Sequence, residues 1–333
     1  MPSPPPRTLT ADRGDAGRRL DLVIRRHLTD LVSATRTRVQ TWIENGQVAV
    51  NGTPIRRVAA RAALGDVVTI ALPDAPPPRV MAAEDVPLEI LYEDDHLLAI
   101  DKPAGIVVHP TYKNAQGTLM NALLWHGRAW PAGQRPSIVG RLDKSTSGIV
   151  VVAKTAAVHA SLQRALASRE GEKDYLAVVY GFDNVARGTI DLPLAHTERN
   201  RRTMVASKHR GARSVTRFER LAWVAAPRAG LSLLRCRLVT GRRHQIRVHL
   251  AARGWPLVGD PSYGEPRWPE IDDGALAATL RAFPRQALHA WRVGVSHPVT
   301  RERLQFEAPI PRDLQGLLAA SGLSITHQGP VHE

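Results

Sequence analysis

One carboxylate stands in the polar stretch Gly140–Gly148, GRLDKSTSG: Asp143. Apolar residues bracket the stretch, Ile138 and Val139 before it and Ile149 to Ala153 after it. The second flank reads as a buried strand. Arg141 lies two residues before Asp143, which is the side-chain period of an extended segment. Gly148 permits a tight turn. By itself, an aspartate beside Ser145, Thr146 and Ser147 is a turn or helix-cap residue. The neighbourhood argues for more, because a carboxylate nucleophile needs a fixed cation and a rigid apolar support. Other templates are missing from the sequence. It has no glycine-rich phosphate loop, no zinc-type Cys/His spacing and no G-x-S-x-G elbow.

Two further stretches can supply partners. In GEKDYLAVVYG, Gly171–Gly181, Tyr175, Ala177 and Val179 alternate with Leu176, Val178 and Tyr180, the pattern of a strand. In TGRRHQIRVHLAARG, Thr240–Gly254, a helix sets Arg243, Ile246, Arg247 and Leu250 on neighbouring rows. Such an arginine either snorkels at the surface or is presented to a carboxylate in a cleft.

The elements that must position these residues occupy a chain of 333 residues, 43% hydrophobic, with net charge +14 and a sequence pI near 10.8. That composition is soluble and globular. The positive excess is mostly arginine and is spread along the chain. It implies a polyanionic partner, nucleic acid first and an anionic membrane surface second. Cys236 is the one cysteine, so no disulfide forms within the chain and a reducing compartment fits. It reads as a small core residue. The start, MPSPPPRT, has no apolar signal core, and no apolar run approaches membrane-spanning length. The expectation is a cytoplasmic, monomeric protein away from membranes.

Along the chain, residues 1–17 are polar and proline-rich, and disorder is expected there. Residues 18–72 read as a small domain. Leu20, Val23, Ile24, Leu28 and Leu31 have helical spacing, and a second helix fits Arg36–Glu44, closed by Asn45-Gly46. Strands follow at Val48–Val50 and Val67–Leu72, with an Asn51-Gly52 turn between them. The polar helical face carries Arg25, Arg26, Arg36 and Arg38 with few acids. Residues 73–80 form a proline linker. Residues 81–315 form the large domain and 316–333 a tail. Within the large domain, helices fit Thr118–Trp125 and Ala156–Ala167. Strands fit Arg213–Trp223 and Leu231–Val239, and the basic segment Thr197–Arg217 reads as a loop or an RNA-facing ribbon.

At this point a resemblance covers nearly the whole chain. DKPAGIVVHP, GRLDKSTSGIVVVAK, GEKDYLAVVYG, TGRRHQIRVHL and RQALHAWRVGVSHPVT resemble, in order, the segments of the RluA-type pseudouridine synthases. RRLDLVIRRHL, TRTRVQTWIENGQVAVNG and LGDVVTI resemble the alpha-L RNA-binding domain. Gly140 stands where RluA-type members often carry His, a feature of the neighbouring RsuA-type branch. The resemblance implies an α+β catalytic domain with a large mixed, mostly antiparallel sheet and a cleft across it. It implies conversion of uridine to pseudouridine in RNA, with large-subunit ribosomal RNA the expected target and with no cofactor and no metal. It assigns Asp143 as the catalytic aspartate, Arg247 as its partner and Tyr175 as the ring that stacks on the flipped base, with a part in proton removal as its alternative role. Arg141 would enter the RNA stack, Lys173 would be a further basic contact, and Arg25, Arg26, Arg36 and Arg38 would bind structured RNA.

Two rivals make different demands. A non-catalytic RNA-binding assembly factor on the same fold predicts loss of Asp143, Tyr175 or Arg247, and all are present. A small-molecule hydrolase with an aspartate nucleophile explains neither the charge nor the N-terminal domain.

Overall fold

The computed structural model describes residues 6–28, 34–72, 81–111, 114–168, 170–181, 185–197, 203–207, 209–225 and 230–324. The chain divides into two units, Met1–Val80 and Met81–Glu333. The expected proline linker, 73–80, lies outside the described residues.

The first unit contains β1 (Arg7–Thr10), α1 (Leu20–His27), α2 (Arg36–Glu44), β2 (Val48–Val50), β3 (Thr53–Pro54) and β4 (Val67–Ile70). Its antiparallel sheet has the order β1-β4-β2-β3. The helices bury Leu20, Val23, Ile24, Val39, Trp42 and Ile43 against Val48, Val68 and Ile70. Thr35 caps α2, its side chain accepting from the Arg38 backbone N–H.

The expected disorder of residues 1–17 is corrected for the part described, since Arg7–Thr10 pairs in register with Val67–Ile70. Asp15, fully buried, pins the segment that follows. It accepts from Arg26 Nη1 at 2.7 Å and lies 2.7 Å from His27 Nε2. Burial pushes the Asp15 carboxyl up, but the His27 and Arg26 hydrogen bonds outweigh it and hold the group well below the usual carboxylate range. A proline-rich composition reveals none of this, because the anchoring is tertiary. The first unit therefore has its own core. Deleting residues 1–80 should leave a domain that unfolds cooperatively and binds RNA more weakly, with a shallower salt dependence. An unchanged salt slope would rule out the first unit as an RNA anchor.

The second unit begins with β5 (Glu89–Glu93), β6 (Leu97–Lys102), α3 (Leu119–His126), β7 (Ser137–Val139), β8 (Ser147–Ala153) and α4 (Ala156–Ala167). There follow β9 (Glu172–Tyr180), β10 (Arg187–Asp191), β11 (Leu194–His196), β12 (Met204–Ala206), β13 (Val215–Val224), β14 (Leu231–Leu238) and α5 (Gln245–Ala252). The unit ends with α6 (Gly274–Ala282), β15 (Leu288–Ser296), β16 (Arg303–Glu307) and α7 (Arg312–Ala320). The main sheet runs β10-β13-β14-β9-β15-β8-β6-β5, with β16 on β15 and β7 on β8. Its pairings are antiparallel except β15 with β8. The α+β class read from the sequence is the fold observed. β11, just before the basic segment, and β12, within it, form a separate two-stranded ribbon.

Period-two alternation explains how the sheet is covered on both faces. In β8, Ile149 and Val151 face Val158 and Leu162 of α4, while Val150 and Val152 face Leu119 and Leu123 of α3. In β9, Ala177 and Val179 face Ile246 and Leu250 of α5, while Leu176, Val178 and Tyr180 face α6 and α7. Tyr175 packs against both the α3 and the α5 clusters, so it stands where the two meet. The expected tail from residue 316 is corrected: Leu317, Leu318 and Leu323 are buried with α6, and a boundary at 315 would cut α7.

β8 and β15 meet at a very close approach. Gly148 has φ +107, and a Cβ there would lie 2.2 Å from the Ala290 carbonyl oxygen. Only glycine satisfies both constraints. Gly148→Ala should lower stability by at least about 3 kcal/mol, from overpacking and backbone strain together. A thermal melt unchanged from that of the parent protein would contradict the close approach.

Candidate active site

The loop between β7 and β8 carries Asp143 into a cleft, and three devices fix that loop from below. Lys102, at the end of β6, is fully buried and donates to the carbonyls of Pro103, Ile106 and Lys144 at 2.7, 3.2 and 3.2 Å. All three donors of its ammonium are thereby used. Burial and then the charge of Arg285 lower the Lys102 ammonium to about 8, against the pull of Asp143 and Asp101. Arg285 grips Asp313 of α7 through Nε and Nη2 at 2.6 and 2.9 Å, and its Nη1 donates to the Ser145 carbonyl at 3.3 Å. Gln286 donates to Thr146 Oγ1 at 3.1 Å, and the Thr146 backbone N–H reaches back to the Asp143 carbonyl at 3.1 Å. The loop is polar because it must be reachable. It is rigid because its backbone oxygens are spoken for.

Opposite the loop stands α5. Its cap residue His244 has φ 53, and the helix starts at Gln245. Arg243 therefore precedes the helix, although the sequence spacing put it on a helical row. Gln245 ties the turn down, donating to the Val215 carbonyl and Thr216 Oγ1, both at 3.0 Å. One turn on, Arg247 reaches across, and its Nη1 donates to Asp143 Oδ2 at 3.1 Å. The rest of its guanidinium closes on a second carboxylate, in the chain that follows α5. Nε and Nη2 donate to Asp260 Oδ2 and Oδ1, both at 2.7 Å. Asp260 is fully buried and also accepts from the backbone N–H groups of Ser262 and Tyr263. Burial works against the Arg247 charge, but Asp260 and then Asp143 outweigh it and raise its pKa. One signal for Asp260 was present in the sequence: a carboxylate between Gly259 and Pro261, three residues before Tyr263.

The cleft brings together Gly140, Arg141, Asp143, Lys173, Tyr175 and Arg247. Its enclosed volume is about 160 Å³ and it is open to solvent on one side, smaller than the roughly 300–1,000 Å³ of a pocket that encloses a whole drug-sized ligand. Arg141 is exposed and also lines an adjoining outer lobe with His109, Lys144 and Arg243. Tyr175 is half-buried; burial, then the charge of Asp143, pushes its phenol above the usual range. Burial lowers the Lys173 ammonium. Gly140 has φ +89 and open space where a side chain would point, so a histidine here would carry backbone strain.

The four arginines of the first unit lie outside this cleft's unit. Arg25 is exposed, and Arg38 is half-buried. Arg36 Nε lies 3.4 Å from the buried Asp21. Arg26 is engaged by Asp12 and Asp15, so its first role is to hold the N-terminal segment.

A carboxylate fixed by an arginine, beside an aromatic ring on a sheet and under a rim of cations, suits covalent or acid–base work on a flat, anionic substrate such as a nucleotide. Comparison with known proteins specifies the class. A family model described as RNA pseudouridylate synthase matches residues 96–252. A ribosomal large subunit pseudouridine synthase D of Xanthomonas campestris pv. campestris is 42% identical, over 92% of this chain and 89% of its own length. Its namesake in Pseudomonas aeruginosa is 41% identical over 86% and 87%. Among solved structures, human RNA pseudouridylate synthase domain containing 1 aligns with TM-score 0.54 and 26% identity, over 72% of this chain and 90% of that one. The chain belongs to the RNA pseudouridine synthase family, and its activity is the isomerisation of uridine to pseudouridine.

Proposed function

We propose that this protein isomerises uridines of large-subunit ribosomal RNA. In this reading Asp143 is the catalytic carboxylate, Arg247 its partner, Tyr175 the stacking platform and Arg141 the side chain that enters the RNA stack. The observation that carries it is the Arg247-paired carboxylate of Asp143 beside Tyr175 in one cleft. The ribosomal target is supported by the names of the bacterial relatives.

The reaction breaks the C1′–N1 bond, turns the uracil and joins C1′ to C5; C5 gives up a proton and N1 gains one. A uridine in a helix must first leave the stack, at a cost of a few kcal/mol. The planar guanidinium of Arg141 at the rim offsets part of that. Stacking on Tyr175 returns roughly 1–3 kcal/mol. The raised phenol of Tyr175 keeps its proton at neutral pH, which favours a platform over a ready-made base. Lys173 and the first unit's Arg25, Arg36 and Arg38 add phosphate contacts, which hold shape rather than read sequence. The net charge of +14 supports RNA as the partner. The buried, unpaired Cys236 fits a monomer working in a reducing cytoplasm.

The test is pseudouridine mapping of total RNA with and without this gene. Loss at discrete large-subunit positions is expected. Loss confined to transfer RNA would overturn the ribosomal target.

A further inference from the structure

A hydrogen-bond chain that the reaction as described does not use points at the carboxylate of Asp143. It begins in the β11–β12 ribbon, where the Met204 backbone N–H donates to Tyr263 Oη at 2.9 Å. Tyr263 Oη lies 2.7 Å from His244 Nδ1. On the far side of the ring, His244 Nε2 faces Asp143 Oδ1 at 3.7 Å, slightly beyond hydrogen-bond length. Arg247 holds the other oxygen, Oδ2. The chain is packed in place: Tyr263 is buried with Leu194, Met204 and Val248, and its ring meets that of His244 edge-on with centroids 5.5 Å apart.

The donors favour one placing of the protons. Met204 N–H can only donate, so it occupies an acceptor position of the phenol. Among the described residues, the phenol proton has one remaining acceptor, His244 Nδ1. With the phenol proton given to Nδ1, the neutral ring carries its own proton on Nε2, the nitrogen that faces Asp143. The residue accepts left-handed backbone to hold this orientation, with φ 53.

We propose that His244 is a positioning residue for Asp143. Tyr263 locks it in the Nε2–H tautomer, so that it closes on Oδ1 when RNA fills the cleft and fixes the carboxylate plane between two donors. The charged groups around the ring agree with a neutral imidazole. Burial lowers its pKa most, Arg247 and Arg243 add to that, and Asp143 and Asp260 oppose it. The ribbon bearing Met204 thereby bears on the orientation of the carboxylate through two side chains.

The inference rests on Asp143 being the catalytic carboxylate, but its first readout is independent of turnover. In the full chain labelled with ¹⁵N-histidine, the His244 signals are identified by their loss in His244→Gln. They should show a bare Nδ1 and a protonated Nε2 at neutral pH, and Tyr263→Phe should mix the two tautomers. An Nδ1–H tautomer or an imidazolium overturns the proposal. In single-turnover assays with saturating enzyme, His244→Ala should be slower on the order of 10- to 100-fold, as for a misplaced reacting group. His244→Gln, whose amide can still donate toward Oδ1, should recover most of that loss. Equal losses in the Ala and Gln variants, with the fold intact by circular dichroism, would reduce His244 to packing. Failure of Asp143 itself would instead appear as an active Asp143→Asn variant with the tautomer unchanged.

Discussion

Asp143→Asn should abolish pseudouridine formation while leaving RNA affinity within a few-fold of the parent protein. The amide is nearly the same shape, and its oxygen can still accept from Arg247 Nη1, which now reaches Asp143 Oδ2 at 3.1 Å. The loop carries no strain that the change would release. Its backbone is held by Lys102 and Arg285 and its Thr146 hydroxyl by Gln286, and none of these bonds is to the carboxylate oxygens. What is lost is the negative charge and the carboxylate oxygen of the proposed catalytic group. Removing a group of that kind costs on the order of 10⁴-fold or more in turnover. The assay is tritium release from RNA labelled at uridine C5, because that hydrogen leaves during the rearrangement. Release near the parent rate from the purified variant would mean that another group does the chemistry. Tight binding without release is the signature of a site that still recognises its substrate.

The second large effect is expected at Arg247. Its guanidinium serves two acids at once, with Nε and Nη2 on Asp260 and Nη1 on Asp143. Lysine keeps the charge but is a compact ammonium without the planar fork. It can satisfy one carboxylate or the other at good geometry. Arg247→Lys should therefore lose about 10²- to 10³-fold in single-turnover rate, the usual cost of one well-placed donor at a reacting centre. Arg247→Met removes the cation altogether and leaves Asp260 buried without its partner. Breaking a buried pair from one side costs about 3–5 kcal/mol, so that variant should also melt early. The comparison separates two roles. A normal rate in Arg247→Lys with a lowered melting temperature would make Arg247 a structural partner of Asp260 alone.

The parts of the site that were legible in the sequence share one property: local pattern. Asp143 was marked by a polar break between apolar runs; strand alternation and helical spacing placed the segments of Tyr175 and Arg247, and the resemblance singled out those two residues within them. Each signal lies within a dozen residues. What escaped lies far apart in the chain. Asp260 meets Arg247 across a loop of mixed composition. Lys102 supports a carbonyl 42 residues away, and Arg285 one 140 residues away. A turn motif such as Lys102-Pro103-Ala104-Gly105 hides a buried cation, because periodicity reports burial of apolar faces and not of charges. The reach of Arg247 was expected, but not the division of its fork between two acids. At the N-terminus, proline content outweighed a four-residue strand whose one deeply buried side chain is Leu9. At the C-terminus, α7 was taken for a tail because its partners lie on β9, β14 and α6, all distant in sequence.

The placement of β15 has a consequence for the timing of biosynthesis. In the sheet it lies between β9 and β8, yet it is made some 140 residues after the loop that holds Asp143. His289 of β15 meets Ser147 at a separation of 142 residues. A growing chain that stops short of Leu288 has a gap in the middle of its sheet, with Gly148 facing nothing and Arg285 only just made. At ordinary translation speeds that interval is roughly ten to thirty seconds. In its last part, between the synthesis of Arg247 and that of Leu288, Arg247 is already present while the floor beneath Asp143 is not. An unfinished chain beside nascent RNA therefore carries every proposed reactive side chain without the scaffold that aligns them, and catalytic competence is gained only when one of the last strands slots into the centre.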